Sequence, residues 1–465
     1  MNSIAIIGGG ITGLTAAFRL RQREIPVTLY ESGPRVGGVI QSVKRDGYLA
    51  ECGPNSILET SPKISSLVHD LGLDDVRLYS DEKAAKRFIV RGGELIPVPD
   101  TPVGFFTSKL FSAKAKAHLA AEPFIRRAPA LAEETLEEFV VRRLGREFLD
   151  YAINPLVAGI YAGDPAHLSV RHAFPKLHAL EQKYGSLILG QLFGAGDRKR
   201  RGEVSKQSAK KFSFPGGLED LIEALRGKLA GNIHTGNAVH EVGETPDGWR
   251  VSTQTGAREH AAVILAAPTH RLSKILFKTN SSFSLALGEI KYPPIASVVF
   301  GFRRADVAHP LDGFGVLVPE VERLNILGAL FSSSLFPGRA PEGHVTITCY
   351  LGGCRDPKLA LSGQDNLRRV VLEDLNKLLG VGGEPTFEHY SVFRESIPQY
   401  DVGFGRFKEL MSRVERDSPG LFFAGHYRDG ISLGDSIVSG ENVAEKIAHL
   451  VKAPITSEYS SLTTV

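Results

Sequence analysis

Short apolar runs and glycine turns alternate at the start of the chain. Four consecutive apolar residues, 4–7, predict a buried strand, and the run stops at three successive glycines, 8–10. From residue 11 to 21 the apolar positions recur with helical spacing, and a second apolar run follows at 27–30. This order predicts a strand–turn–helix–strand unit in which the two strands lie parallel.

The same patterns recur along the rest of the chain. Residues 86–99 read as a hairpin around the pair Gly92-Gly93, and residues 103 to about 143 have a helical pattern that resumes up to about 193. Polar serines and threonines after residue 453 predict a disordered tail, 453–465. The later segments are a glycine turn into a helix at 214–225, strands near 232–242, 249–253 and 261–268, a strand-rich stretch at 292–400 with one helix near 366–379, a strand at 421–425 and a last helix from about 435 to 451.

The first turn carries a phosphate-binding signature. Gly8, Gly10 and Gly13 fit G-x-G-x-x-G between a strand and a helix, where glycines permit a tight turn and close approach of a pyrophosphate. Glu31 ends the second strand, 18 residues after Gly13, and a carboxylate there is placed to accept hydrogen bonds from ribose hydroxyls. The sequence therefore predicts a dinucleotide site, against the alternative of a turn that is glycine-rich for steric reasons alone.

The residues after Glu31 favour one dinucleotide. Arg35-Val-Gly-Gly38 places a cation and a glycine pair beside the ribose-binding strand, and this resembles the R-x-G-G segment of the two-dinucleotide-binding-domain flavoproteins, where it touches the flavin's pyrophosphate. FAD is therefore favoured over NAD, with an ordinary surface arginine as the weaker interpretation. Gly53-Pro-Asn-Ser56 offers backbone donors at the distance where that superfamily places a turn beside the isoalloxazine ring.

Composition narrows the class further. The chain has 465 residues, a formal net charge of +3 and three cysteines, which argues against nucleic acid as a partner and against a disulfide framework. The cysteines indicate no metal site. The first strand begins almost at once and no apolar stretch reaches the length of a membrane span, so we expect a bacterial cytoplasmic protein. Phenylalanines and lysines alternate at 103–118, which leaves two interpretations open: a helix on an anionic membrane surface, or one packed in its own core.

Several segments together resemble one family more closely. The chain is similar to the FAD-dependent protoporphyrinogen and coproporphyrinogen oxidases of the flavin amine oxidase superfamily, from about residue 3 to 450. The matching segments are 8–13, 86–88 (Lys-Arg-Phe), 158–163 (Ala-Gly-Ile-Tyr-Ala-Gly), 168–171 (Leu-Ser-Val-Arg), 313–319 (Gly-Phe-Gly-Val-Leu-Val-Pro), 397–400 (Ile-Pro-Gln-Tyr) and 425–440.

The resemblance implies an α/β fold (α+β overall) in three parts. A discontinuous Rossmann-type FAD-binding domain is expected at 1–82, 214–275 and 415–452. A mixed β-sheet substrate domain is expected at 83–100, 196–213 and 276–414, and an inserted helical, membrane-binding domain at 101–195.

It also implies which residues bind each ligand. The substrate residues, which would line a cavity for a tetrapyrrole with Arg87 on a propionate, are Arg87, Gly159, Phe314, Leu317, Leu330 and Tyr350. The FAD residues, including Asp435 at the start of the last helix, are Gly8, Gly9, Gly10, Ile11, Thr12, Gly13, Glu31, Ser32, Arg35, Gly38, Val39, Gly53, Pro54, Asn55, Ser56, Val239, Gly425, His426, Ile431, Ser432, Leu433 and Asp435.

The implied reaction is hydride transfer from a porphyrinogen carbon to flavin N5, repeated three times, with oxygen reoxidising the flavin; no catalytic side chain is assigned. Protoporphyrinogen IX is the favoured substrate. Coproporphyrinogen III, an amine oxidase or carotenoid desaturase activity, and a non-catalytic relative such as a prenyl-protein carrier are the alternatives. The expected location is the cytoplasm, peripherally on the inner face of the cell membrane. The oligomeric state stays open, with a homodimer as one option.

Overall fold

The strands of the chain lie in five sheets in the computed structural model, which describes residues 3–129, 133–193, 209–278 and 282–452. The tail at 453–465 and the basic loop at 194–208 lie outside the described residues. The strands are β1 Ile4–Ile7, β2 Val27–Tyr30, β3 Ser42–Arg45, β4 Tyr48–Glu51, β5 Ile57–Leu58, β6 Leu78–Tyr79, β7 Arg87–Arg91, β8 Glu94–Pro97, β9 Lys211–Ser213, β10 Ile233–His234, β11 Val239–Thr245, β12 Gly248–Thr253, β13 Gly256–His260, β14 Ala262–Leu265, β15 Leu276–Phe277, β16 Ile295–Arg303, β17 Gly315–Leu317, β18 Ile326–Leu330, β19 His344–Gly352, β20 Phe387–Phe393 and β21 Leu421–Phe423.

The helices are α1 Ile11–Gln22, α2 Pro62–Asp70, α3 Pro102–Thr107, α4 Ala113–Ala120, α5 Leu136–Leu144, α6 Arg146–Phe148, α7 Asn154–Tyr161, α8 Val170–Ala173, α9 Pro175–Tyr184, α10 Leu187–Phe193, α11 Glu219–Lys228, α12 Thr269–Leu272, α13 Ser282–Leu287, α14 Ser332–Leu335, α15 Pro357–Ala360, α16 Gln364–Leu379, α17 Gly405–Asp417, α18 His426–Asp429 and α19 Leu433–Lys452. A π-helical turn, Leu149–Ile153, runs directly into α7.

A parallel sheet in the order β10–β2–β1–β14–β21 is buried on both faces. Because successive side chains of a strand point to opposite faces, Ile4 and Ile6 pack with α1, α11 and α19, whereas Ala5 and Ile7 pack toward β11, β12 and α17. Its strands come from the start, the middle and the end of the chain. A parallel sheet covered on both faces confirms the predicted α/β class.

A seven-stranded sheet forms the second layer, in the order β20–β16–β19–β18–β17–β7–β8. One face of this sheet packs on α16 and forms an apolar core with it. Val316, Ala329 and Cys349 point into this core. The cross-strand register places Gly315 opposite both Arg87 and Leu330, Gly328 opposite both Leu317 and Tyr350, and Leu330 opposite Thr348. Residues that are opposite one another share a face, so Arg87, Leu317, Leu330 and Tyr350 lie on the other side of this sheet.

The continuous helical pattern predicted for 103–143 is broken in the structure. Thr101 and Ser112 cap α3 and α4 by accepting hydrogen bonds from Gly104 N and Ala115 N, and Thr135 forms a capping box with Glu138 at the start of α5. Ser, Thr and Asp ahead of short apolar runs are start signals for new helices, and they outweigh the average helical periodicity here. Within the described residues, none of the helices combines the length and apolar character that crossing a bilayer requires.

We call the helices between β8 and β9 the helical insert, and a buried ion network holds them together. The side chain of Arg143 is fully buried between Glu122 and Glu181, at 3.0 and 2.6 Å, and it also donates to the carbonyl oxygens of Ile125 and Gly185. Burial works to raise the pKa of Glu181, but hydrogen bonds from Arg142 and Arg143 outweigh it and lower that pKa. Because α5 shares an apolar cluster with Val157 and Tyr161, this network also fixes α7.

Replacing Arg143 should loosen the whole insert. We expect Arg143→Met to lower the opening free energy of amides in α5 and α7 by about 3–5 kcal/mol, because it leaves the buried Glu122 without its cation and Glu181 with Arg142 alone. Arg146→Met is the control, since Arg146 pairs with Glu137 and Asp150 but its side chain is 63% exposed, and it should change that free energy by about 0–1 kcal/mol. Hydrogen exchange measured by mass spectrometry gives both values, and equal effects would contradict the role of the network.

Candidate functional site

The first glycine turn is shaped by one close approach. A Cβ on Gly13 would lie 2.0 Å from the carbonyl oxygen of Gly8, and Gly8 itself has φ +113°. No side chain caps the N-terminus of α1 at Gly10, and a Cβ there would meet nothing within 4 Å. The N-terminus of α1 is thus open, its first backbone N–H groups point outward, and it suits an anionic group.

Glu31 and Arg35 both hold the backbone around this turn. The Glu31 carboxylate accepts from Gly9 N at 2.8 Å and from Gly33 N at 2.6 Å, which leaves lone pairs available for hydroxyl donors. The Arg35 guanidinium donates to the carbonyl oxygens of Val36, Gly38 and Ile40. It shapes the Gly37-Gly38 loop in this structure, and its contact with a pyrophosphate stays a prediction.

The loop 53–56 lies between the parallel sheet and the seven-stranded sheet. A Cβ on Gly53 would lie 2.4 Å from Val39 O, so Val39 and Gly53 are packed backbone to backbone. The Tyr350 hydroxyl donates to Gly53 O at 3.1 Å and accepts from Asn55 Nδ2 at 2.5 Å. Burial raises the pKa of Tyr350, which keeps the hydroxyl protonated as that donor. Tyr350 is therefore both on the predicted substrate face and attached to the predicted flavin loop.

A buried carboxyl group lies just before this loop. Glu51 accepts from Ser42 Oγ at 2.6 Å and from Leu218 N at 2.8 Å, with Arg339 at 3.8 Å. Burial raises the pKa of Glu51 to about 7, against these hydrogen bonds and the Arg339 charge, which work to lower it. These contacts join β4 to the glycine turn before α11, so the start of the 53–56 loop is fixed from behind.

The C-terminal segment closes the site from the other side. Ser432 and Asp435 exchange hydrogen bonds, each side chain accepting from the other's backbone N–H, so the last helix begins at Leu433 and not near residue 435 as predicted. The S-x-x-D spacing is the signal that could have given this boundary. The Tyr400 hydroxyl donates to His426 O and accepts from Gly430 N, a positioning role the sequence did not indicate.

His426 has a buried ring nitrogen without a hydrogen-bond partner among the described residues. Burial and then the neighbouring His270 lower the pKa of His426 to about 4, so its ring is neutral at pH 7. That buried nitrogen is Nε2.

Val239 is placed near Glu31 by the backbone. It begins β11 two residues after Asn237, and the N–H of Asn237 donates to Glu31 O. The open N-terminus of α1, the Glu31 carboxylate and the orphaned nitrogen of His426 together fit FAD along one path.

The predicted substrate residues are brought together. Arg87, Leu317, Leu330 and Tyr350 share one sheet face, and Phe314 immediately precedes β17. α7 packs on this face. A Cβ on Gly159 would lie 2.8 Å from Leu317 Cδ2, so glycine at this position allows the helix to approach the sheet closely. The result is an apolar wall opposite the 53–56 loop.

Two arginines on β7 differ in their partners. Arg91 pairs with Glu147 at 2.7 Å and lies over the Tyr151 ring, so it fixes the insert to the sheet. Arg87 has no carboxylate partner in the described part of the chain, and its guanidinium carbon lies 5.9 Å from the centre of the Phe314 ring. Neither is a solvated charge on an edge strand, because β7 is paired with β8 on one side and with β17 on the other.

The comparisons with known proteins agree with this geometry. The model of the flavin-containing amine oxidoreductases matches residues 11–448. Protoporphyrinogen oxidase 2 of Arabidopsis thaliana is 36% identical over 96% of this chain and 93% of its own, and coproporphyrinogen III oxidase of Bacillus subtilis is 30% identical over 94% and 96%. A crystal structure from Exiguobacterium sp. 255-15, provisionally assigned as a protoporphyrinogen oxidase, superposes with a TM-score of 0.81 at 26% identity, over 97% of this chain and 99% of that one.

Filling the open position at Gly10 should weaken cofactor binding without disturbing the fold. Gly10 has φ −72° and ψ 177°, which alanine adopts, so Gly10→Ala should leave the stability of the apoprotein within about 0.5 kcal/mol. A methyl group facing the predicted pyrophosphate should weaken FAD binding by about tenfold or more. Gly227→Ala is the matched control, because its Cβ also meets open space but lies in α11. Flavin fluorescence titration of the deflavinated proteins measures both, and equal affinities would contradict the proposed phosphate position.

Proposed function

The chain belongs to the flavin-containing amine oxidoreductase family, and we propose that it oxidises protoporphyrinogen IX to protoporphyrin IX. It is an oxidoreductase whose cofactor is FAD. One observation carries the choice of substrate class: Arg87, a half-buried arginine that has no carboxylate partner among the described residues, lies at the rim of an apolar wall. A flat macrocycle with apolar edges and carboxylate tails has the matching chemistry.

The chain's own residues position and shield the substrate in this proposal. Leu317, Leu330 and Phe314 would contact the macrocycle, exclude water and leave its reacting carbon toward the 53–56 loop. Tyr350 holds that loop through Gly53 O and Asn55, so the distance between the two ligands is set by a hydrogen-bonded side chain. Bound FAD supplies a hydride acceptor, and oxygen is the proposed final acceptor.

Coproporphyrinogen III is the second candidate, because a coproporphyrinogen III oxidase is among the relatives that align over nearly the whole chain. That substrate carries four propionates and protoporphyrinogen IX carries two, so it requires more cations around the cavity. On the predicted substrate face, Arg87 is the arginine without a carboxylate partner among the described residues, whereas Arg91 is paired with Glu147. So small a number of free cations favours the dicarboxylate.

The substrate can be identified by anaerobic reduction of the flavin. We expect protoporphyrinogen IX to bleach the visible flavin absorbance faster than coproporphyrinogen III, because two extra carboxylates would have to be desolvated without partners. Admitting air should restore the colour if oxygen is the acceptor. Faster bleaching by coproporphyrinogen would assign the second candidate, and no bleaching by either would contradict porphyrinogen oxidation altogether.

We also propose that the helical insert lies on an anionic membrane surface. Leu110 and Phe111 are buried in the insert, so the core interpretation applies to them, but Val103 and Phe106 on α3 are 74% and 59% exposed. Lys109 and Lys114 follow within the next turns. Two exposed apolar side chains on one helix face, beside lysines, suit the headgroup region of a bilayer.

Vesicle binding tests this orientation. The double variant Val103→Ser, Phe106→Ser should reduce co-sedimentation with vesicles of phosphatidylserine and phosphatidylcholine, since it removes the side chains that would insert. Leu285→Ser is the control, because Leu285 is 70% exposed on α13, outside the insert. If the wild-type protein stays in the supernatant at low salt, or if both variants bind alike, the proposal is wrong.

A further inference from the structure

A second cation faces the ring that Arg87 faces. Lys211 Nζ lies 5.5 Å from the centre of the Phe314 ring, and Arg87 lies 5.9 Å from the same centre. Lys211 comes from β9, which is paired with β5 directly after the 53–56 loop, with Leu58 opposite Lys211. The two charges therefore approach one aromatic side chain from different sheets. Arg87 belongs to β7 on the predicted substrate face, and Lys211 belongs to β9, beside the proposed flavin loop.

Among the described residues, these two cations lack the carboxylate partners that Arg91 and Arg143 have. In the part of the chain that the structure describes, neither Arg87 nor Lys211 has a carboxylate or hydrogen-bonding partner for its side chain. Both are half-buried. Arg91, four residues further along β7, forms a salt bridge with Glu147. Proteins normally pair such charges, because an uncompensated one costs solvation free energy.

The electrostatic consequence is visible on the lysine. Burial and then the positive charge of Arg87 lower the pKa of Lys211. A single ring can attract each cation weakly, by about 0.5–2 kcal/mol, but it does not remove the repulsion between them. A carboxylate placed near Phe314 would favour both charges at once, and two neighbouring carboxylates would satisfy one each.

We propose that Lys211 is a second substrate anchor, and that Arg87 and Lys211 together bind two neighbouring carboxylates of the porphyrinogen. The inference rests on the proposed function and adds a specificity residue to it. It makes the site selective for a macrocycle with a carboxylate pair on one edge, and the remaining apolar edge then lies against Leu317 and Leu330.

Removing the charge of Lys211 should weaken the binding of protoporphyrin IX, which carries carboxylates, but should leave the binding of its dimethyl ester unchanged. Lys211→Met should raise the dissociation constant of protoporphyrin IX, measured by quenching of its fluorescence, by about 10- to 100-fold. The binding of its dimethyl ester should not change, since the ester has no charge for Lys211 to contact. Lys211→Arg should keep most of the affinity for the acid. Lys211→Gln is a second neutral variant, and flavin content and circular dichroism verify that each protein is folded.

Lys210→Met is the matched control. Lys210 is the preceding residue, its Nζ lies 5.2 Å from the centre of the Tyr79 ring, and it is exposed, so the acid should bind this variant as it binds the wild type. An equal loss for acid and ester in Lys211→Met, or no loss for the acid, would overturn the anchoring role. A wild-type protein that binds neither porphyrin would instead contradict the proposed function, and with it this inference.

Discussion

The site depends on how closely α1 approaches the end of β1. Gly13 contacts the Gly8 carbonyl at a distance that no Cβ allows, and a Cβ on Gly440 of the last helix would lie 2.5 Å from the carbonyl oxygen of Thr12. Because both contacts involve backbone, the N-terminus of α1 is fixed between the first strand and the last helix. The segments that complete the proposed cofactor site, 31–39, 53–56 and 425–435, are placed relative to this one point. A side chain at Gly13 would displace all of them together.

A second constraint fixes the sheet layer to that cofactor site. Tyr350 belongs to the seven-stranded sheet, but its hydroxyl bonds to the loop that follows β4. Arg339, also from the second layer, is buried and donates to Ser213 Oγ and Phe214 O, next to β9. A porphyrinogen has no strongly polar reacting atom, so its reacting carbon can be positioned by shape and by its distant carboxylates. Rigid polar contacts between the layers suit that chemistry, because they fix the proposed substrate face relative to the proposed flavin loop.

The sequence predicted the elements whose signals are local. Gly8, Gly10, Gly13 and Glu31 lie within one strand–helix–strand unit, and short-range patterning was enough to place them; residues 366–379 were likewise predicted to be helical, and α16 is Gln364–Leu379. Partners that are distant in sequence were not predictable. Arg91 and Arg87 look alike in the strand pattern, and only the fold brings Glu147 to the first and an apolar wall to the second. Lys211 was missed for the same reason, because only the fold brings it to the Phe314 ring.

The contrast between the two cations beside Phe314 and the paired arginines of the interior supports a carboxylate pair as the ligand. Arg143, Arg19 and Arg428 are each paired with carboxylates, which neutralise these buried cations. Leaving Arg87 and Lys211 without a carboxylate lowers the stability of the free protein. That cost is recovered when an anion binds, and it also disfavours neutral or cationic substrates. The proposed pair of cations thus favours an anionic substrate over an amine.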